Sequence, residues 1–329
     1  MKVLIYSAHR FERNFLSAAN QREHEFNFLD ASLSPYTVHL AKGYDAISVF
    51  VNDDASRPII ENLQALGVKF ILLRSAGFNH VDFKRARELG MRVARVPAYS
   101  PYAVAEHAVT LMLSLNRNII RAHNRVMDLN FSLEGLTGFD MRGKAVGIIG
   151  TGKIGVVVCE ILNGFGCRLL AYDVYENEDL KKRLKVTYVP LETLCQQSDI
   201  ISLHCPLNED THYLINAGRI QSMKPGVMLI NTSRGGLVKT KDVIEALKTG
   251  KVGYFGMDVY EEEEHLFFVD RSEEILQDEA IARLLTFRNV LITGHQAFLT
   301  KEALENIAAA TVFNIDCFEM GEMCQNELF

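Results

Sequence analysis

An α/β protein with two parallel sheets is the fold class this sequence predicts, and three observations predict it. Short β-branched runs alternate with amphipathic stretches twice along the chain, once before residue 100 and again after residue 140, the pattern of repeated βα units. At 329 residues the chain exceeds the size at which a single core usually stops growing. Its 48% apolar content can fill two cores.

The first alternation places strands at "KVLIYS", "FNFLD", "AISVF", "KFILLRS" and "RVARVP". Between them lie helical patterns such as "RPIIENLQALG" and "DFKRARELG", each closing on a glycine as a helix C-terminus does. Ser100 then stands where a cap is needed and Pro101 in a first turn, so one long helix is expected through "AVAEHAVTLMLSLNRNIIRAHNRVM". It is apolar on too many sides for a free surface helix. After the loop "DLNFSLEGLTGFDMRGK" the second alternation gives "AVGIIG", "RLLAYD", "VTYV", "DIISLHC", "GVMLINTS", "VGYFGMDV" and "NVLITG", a sheet of six or seven strands. The segment "TKEALENIAAATVFNIDCFEMG" reads as one helix from Thr300 to Gly321. With the second sheet already complete, it is expected to return to the first unit. The expected division is residues 1–99 plus 297–329 against residues 100–296.

Composition narrows the partners. Forty-one acids against 35 Lys and Arg give a net charge of -6, which disfavours nucleic acid and anionic membranes. The basic "KKRLK" at 181–185 reads as a solvated helix face. Cys159, Cys167, Cys195, Cys205, Cys317 and Cys324 show no CxxC spacing, so reduced thiols of a cytoplasmic protein are expected, with no disulfide framework and no metal. The apolar run in "MKVLIYSAHR" is too short for a signal segment, and no stretch approaches membrane-spanning length.

The run "AVGIIGTGKIGVVVCEIL" carries the most chemistry: a strand, then Gly150, Gly152 and Gly155 in GxGxxG spacing, then a helix opening at Lys153 and Ile154. The first glycine permits the turn, the second lets backbone approach a pyrophosphate, and the third lets helix lie close on strand. The helix N-terminus offers N–H groups to phosphate. "RLLAYD" ends in Asp173, eighteen residues past Gly155, where a carboxylate binds a ribose 2′-hydroxyl. Val174, Tyr175 and Glu176 follow, with no arginine for a 2′-phosphate, so NAD is expected over NADP. This makes the second unit a dinucleotide-binding Rossmann domain.

Ligands of open parallel sheets sit at the carboxyl ends of the strands. There the sequence sets Arg234 after "GVMLINTS", a run of glutamates after "VGYFGMDV", and His295 after "NVLITG". A guanidinium grips a carboxylate through paired hydrogen bonds. An imidazole donates a proton to a carbonyl receiving hydride, and a carboxylate on its other nitrogen fixes the tautomer and favours the charged form. Singly, each residue reads as an ordinary surface or loop residue; together, at matching strand ends, they point to reduction of a 2-oxo acid.

The sequence resembles the D-isomer-specific 2-hydroxyacid dehydrogenases essentially end to end, through "VNDDASRP", "LRSAGFNHVD", "RVPAYSPYAVAEHA", "NFSLEGLTGFD", "GIIGTGKIG", "ISLHCPL", "NTSRGG", "GMDVYEEE" and "GHQAFLT". The resemblance implies that Arg234, Glu263 and His295 are the catalytic set, with Glu261, Glu262 and Glu264 solvated or structural. It implies that the Ala76 and Gly77 N–H groups meet the substrate carboxylate, that Tyr99 and Phe298 line a small side-chain pocket, and that Cys205, Pro206, Thr211, Thr232, Ser233 and Asp258 contact NAD. It further implies a flavodoxin-like substrate domain, an NAD domain with a long dimerisation helix, a cleft closing over both ligands, and a homo-oligomer, dimer or tetramer. Bacterial fermentative members imply pyruvate and D-lactate as the substrate pair. A glyoxylate or hydroxypyruvate reductase, or a dinucleotide-sensing binding protein on the same fold, stays open as an alternative. The chain departs from many relatives at Gly294, where they carry proline or alanine, and a looser loop before His295 is the expectation.

Overall fold

The computed structural model describes residues 1–264 and 266–328. They divide into two compact units, Met1–Ser100 with Leu299–Phe329, and Pro101–Phe298.

The first unit runs β1 (Lys2–Ile5), α1 (Arg10–Ala19), β2 (Glu25–Phe28), β3 (Ala46–Val49), α2 (Arg57–Ala65), β4 (Phe70–Leu73), α3 (Phe83–Glu88) and β5 (Arg92–Arg95). Its five strands are parallel in the order β2-β1-β3-β4-β5, the flavodoxin-like order, with the chain reversing direction across the sheet between β1 and β3. Helix ends follow local chemistry. Pro58 sits in the first turn of α2, and the Asp82 carboxylate accepts the Arg85 N–H at 2.9 Å to start α3. The C-terminal helix, Lys301–Glu319, starts where the Thr300 hydroxyl accepts from the Ala303 N–H. It buries Ala308, Ile315 and Phe318 against Val3, Ile5 and Leu72 of this sheet. The tail then covers the edge of β5: Leu328 N–H donates to Val93 and Arg95 N–H to Asn326, with Arg92 paired to Glu327. An otherwise open strand edge is thereby closed.

The second unit runs α4 (Pro101–Asn116), α5 (Ile119–Met127), β6 (Ala145–Ile149), α6 (Lys153–Gly164), β7 (Arg168–Tyr172), α7 (Glu178–Leu184), β8 (Thr187–Tyr188), α8 (Leu191–Gln197), β9 (Ile200–Leu203), α9 (Ala217–Ser222), β10 (Val227–Asn231), α10 (Thr240–Thr249), β11 (Val252–Met257), α11 (Glu279–Leu285) and β12 (Val290–Ile292). All seven expected strands form one parallel sheet, β12-β11-β10-β9-β6-β7-β8. Val146, Ile148, Ile200, Met228 and Ile230 on one face pack under α4 and α6, and Ile149, Ile201, Leu229 and Phe255 fill the other.

The single long helix expected from 101 to 127 is two helices. Asn116 is buried, and its amide accepts from the Phe139 N–H at 2.7 Å and donates to the Phe139 carbonyl at 2.7 Å. Two residues on, Asn118 takes the left-handed conformation at φ 51°, which asparagine tolerates better than most residues. The pattern of apolar residues misses the break because a long-range amide contact makes it. The buried character splits with the helix: α4 is buried along most of its length, while α5 buries none of its side chains.

Candidate active site

The carboxyl edge of the second sheet gathers most of the predicted residues because every strand points the same way. Gly150 follows β6, Asp173 follows β7, Cys205 follows β9, Thr232 to Arg234 follow β10, Asp258 follows β11, and His295 lies three residues beyond β12.

The glycine turn has the shape a pyrophosphate requires. Gly150 is at φ +95°, and a Cβ there would meet the Cys205 nitrogen at 2.5 Å; a Cβ at Gly155 would meet the Gly150 carbonyl oxygen at 2.0 Å. Both positions are closed to a side chain. At Gly152, the N-cap of α6, a Cβ would meet nothing within 4 Å, so space opens in front of the first-turn N–H groups of Lys153 and Ile154. The Asp173 carboxylate is fixed beside this turn. Its Oδ2 accepts the Thr151 N–H at 2.6 Å and hydroxyl at 3.1 Å, and its Oδ1 accepts the Tyr175 N–H at 3.0 Å. Oδ1, with one donor, keeps a lone pair for a ribose hydroxyl.

At the other end, His295 Nδ1 lies 2.8 Å from Glu263 Oε1, with the two side chains 15% and 17% exposed. Glu263 is itself held, since its Oε2 accepts the Tyr260 N–H at 3.0 Å. The imidazole sits between Phe268 and Phe298, at ring distances of 5.5 and 6.4 Å. His295 has a left-handed backbone at φ 54°, uncommon for a residue with a side chain. Arg234 shares this edge, and its Nη1 donates to the Ser233 carbonyl at 2.6 Å. Among the described residues it makes no hydrogen bond to Glu263 or His295. Its loop does touch the glutamate loop: a Cβ at Gly235 would lie 2.0 Å from the Tyr260 carbonyl carbon.

The other glutamates differ from one another. Glu261 is structural, accepting from the Thr240 N–H at 3.0 Å and from the Tyr213 hydroxyl, which that bond pushes to a higher pKa. Glu262 and Glu264 are exposed. The next residue, His265, lies outside the described residues.

The remaining predicted cofactor residues fall into two groups. Thr232 has a buried hydroxyl with no hydrogen-bond partner among the described residues, a group that calls for a ligand. Ser233 ties β10 to β9 by donating to the Cys205 carbonyl at 2.7 Å. Burial pushes the Cys205 thiol up to about 11, so it is uncharged. The Thr211 hydroxyl donates to the Pro206 carbonyl at 2.7 Å and closes the 206–211 turn. Asp258 is fully buried; Oδ1 accepts from Thr293 Oγ1 at 2.5 Å and the Gln296 N–H at 2.9 Å, and Oδ2 from the Ala297 N–H at 2.8 Å. At Gly294, where a looser loop was expected, a Cβ would fit, and Asp258 bonds the residues on both sides of the turn.

In the first unit, the segment after β4 presents Ala76 and Gly77. Their carbonyls are held, Ala76 by Arg95 Nη1 at 2.6 Å and Gly77 by the Ser75 hydroxyl at 2.7 Å, while their N–H groups have no acceptor among the described residues. Below them Arg74 is fully buried and donates to Glu12, Ser48 and the carbonyls of Tyr6 and Ser7. Tyr99 lies in the same unit, its carbonyl accepting from Asn306 at 2.6 Å. Sequence reasoning assigned no role to Arg74, Arg95, Thr293 or His107, because each acts on a residue far along the chain.

The residues of the second unit match the family described as D-isomer specific 2-hydroxyacid dehydrogenase, NAD binding domain, over 109–297. A curated relative, the D-lactate dehydrogenase of Escherichia coli (strain K12), is 52% identical over 329 residues, covering 100% of both chains. Among solved structures, the apo-structure of D-lactate dehydrogenase from Escherichia coli superposes with a TM-score of 0.91 at 50% identity, covering 100% of both chains. That of the pyruvate reductase of Chlamydomonas reinhardtii does so at 0.93 and 44% identity, covering 99% of this chain and 98% of that one. The chain belongs to the D-isomer specific 2-hydroxyacid dehydrogenases, and its cofactor is NAD.

Proposed function

We propose that this dehydrogenase reduces pyruvate to D-lactate: pyruvate + NADH + H⁺ ⇌ D-lactate + NAD⁺. The observation that carries the reading is the 2.8 Å contact of Glu263 with His295 Nδ1 at the edge that also bears the glycine turn. Substrate and stereochemistry come from the relatives, whose names are D-lactate dehydrogenase and pyruvate reductase.

The glycine turn, Asp173 and the Thr232 hydroxyl would hold the dinucleotide, which when bound supplies the hydride. Glu263 keeps Nδ1 engaged, so Nε2 carries the proton passed to the keto oxygen. Arg234 grips the substrate carboxylate through its guanidinium, and the N–H groups of Ala76 and Gly77 are assigned to the same anion. Tyr99 and Phe298 limit the side chain to something small. In this reading Met1–Ser100 with Leu299–Phe329 is the substrate unit and Pro101–Phe298 the NAD unit.

A second copy of the chain is the proposed partner. Ile119, Ile120, Met127, Leu129, Phe131 and Leu133, on α5 and the segment after it, are between 51% and 82% exposed, a run of exposed apolar side chains that a partner surface would cover. The free thiols, five of the six buried, fit a reducing cytoplasm.

The deciding measurement is a panel of 2-oxo acids with NADH, scored by kcat/KM and product chirality. Pyruvate should lead and give the D isomer. Preference for glyoxylate or hydroxypyruvate would reassign the substrate, and binding of NADH without turnover of any 2-oxo acid would favour the sensor.

A further inference from the structure

We propose that His107, on the buried helix α4, is a positioning residue for the catalytic imidazole, acting through Thr293 and Asp258. The inference rests on the catalytic assignment of His295 above. His107 Nε2 lies 3.0 Å from Thr293 Oγ1 and 3.5 Å from Asp258 Oδ1. Thr293 has one hydroxyl proton, and at 2.5 Å from Asp258 Oδ1 that proton goes to the carboxylate, which can only accept. The bond to His107 therefore runs the other way: Nε2 carries hydrogen and donates to Thr293.

The direction matters because these groups enclose the turn that presents His295. Asp258 accepts from Thr293 ahead of the turn and from Gln296 and Ala297 behind it, while its own carbonyl accepts the His295 N–H at 2.7 Å. With both flanks fixed to one buried carboxylate, His295 stays left-handed at φ 54°, a conformation that persists only where its surroundings over-determine it. The His107 N–H is the link that ties this carboxylate and threonine to a helix rather than to the loop itself. Helix α4 packs on β10, β11 and β12 together, so it is the rigid reference against which the ends of the three strands bearing Arg234, Glu263 and His295 are aligned. The sequence shows "AEHA" as one more helical segment, and nothing in the hydride or proton chemistry needs a second histidine there.

The test compares His107→Ala, His107→Gln and Thr293→Val in the full chain, using whichever 2-oxo acid the wild type reduces best. His107→Ala should lower kcat about tenfold, the scale of one lost hydrogen bond to a charged network, with KM for NADH within about twofold, since the glycine turn is untouched. NADH deuterated at the transferred position should show a larger isotope effect, because the chemical step has slowed. His107→Gln keeps an amide donor and should recover most of the loss. Thr293→Val should match His107→Ala, and the double variant should be no worse than either, since both cut one chain of bonds. A crystal structure of His107→Ala should show His295 out of the left-handed region, a readout independent of turnover. Wild-type kcat in His107→Ala with His295 unmoved overturns the proposal. So does a loss that glutamine leaves unrescued and that falls equally on NADH binding and thermal stability. A wild type inert toward every 2-oxo acid would sink the proposed reaction, and the His295 conformation in the variant would still decide this inference.

Discussion

The two units hold the loops that carry the proposed site residues with opposite chemistry. In the first, buried or half-buried arginines lie behind the loops and take carbonyl oxygens: Arg95 takes Ala76, and Arg74 takes Tyr6 and Ser7. In the second, the buried carboxylate of Asp258 takes N–H groups, those of Gln296 and Ala297. The difference follows from what each loop presents. A loop that offers backbone N–H groups to an anion must be anchored by its carbonyls, so the anchor is a donor. A loop that offers an imidazole needs its backbone fixed and one ring nitrogen left available, so the anchor can be an acceptor. In the proposed reaction the first loop would bind charge and the second would move a proton.

The largest effect should come from the group that the second anchor serves. His295→Gln keeps polarity and bulk but cannot deliver a proton, and kcat should fall about a hundredfold or more, the scale of general acid catalysis, with the 2-oxo acid KM much less changed. In the wild type, reduction should decline as pH rises, because the reaction consumes a proton, while oxidation of the hydroxy acid should climb. A flat profile in both directions, with hydride transfer shown to be rate-limiting, would remove His295 from the role of acid.

The anchors themselves should separate by parameter. Arg95→Met releases the Ala76 carbonyl and should raise KM for the 2-oxo acid about tenfold while kcat holds. Asp258→Asn replaces an acceptor of three donors with an amide and should lower kcat by a similar factor while substrate KM holds; both magnitudes are those of one charge-assisted hydrogen bond. Steady-state kinetics on the two variants tests the contrast directly. If both move the same parameter, the distinction between anion-binding and proton-moving loops is lost.

What the sequence made legible divides along similar lines. The seven strands, the glycine turn and Asp173 were readable because each rests on local spacing: alternation for a strand, three glycines for a turn, one acid at a strand end. The pairing of Glu263 with His295 was readable only through parallel strand ends and the resemblance, because the two lie 32 residues apart. The break at Asn116–Asn118 and the Asp258 anchor were not readable, since one depends on an amide meeting Phe139 and the other on a carboxylate meeting residues 35 to 39 positions away. Helix periodicity carries no mark of either. Gly294 shows the cost of reading a loop from its own residues alone, because the bonds flanking the turn go to Asp258, far along the chain.

The smallest effect sharpens the contrast through stability, because acid should push the two units in opposite directions. Burial lowers the His204 imidazole, which neighbours Ser202 at 2.8 Å, from its ordinary 6.5 to about 4. Between those two values the unfolded chain binds the extra proton, so the second unit loses stability as pH falls through that window. Asp53 in the first unit is the reverse case. Burial raises its carboxyl despite the donors from Phe50, Ser7 and Leu33, so the folded state binds the extra proton and acid favours it. The expected effect at pH 5 is a small loss of stability, in the direction linkage sets. His204→Gln should therefore flatten the acid side of the melting curve for the second unit, followed by hydrogen exchange in β9 and β6, and leave exchange in β1 and β3 as it was. Equal slopes for wild type and variant between pH 7 and 5 would mean that His204 is already charged in the folded chain, and the second unit would then have no neutral counterpart to its charged anchor.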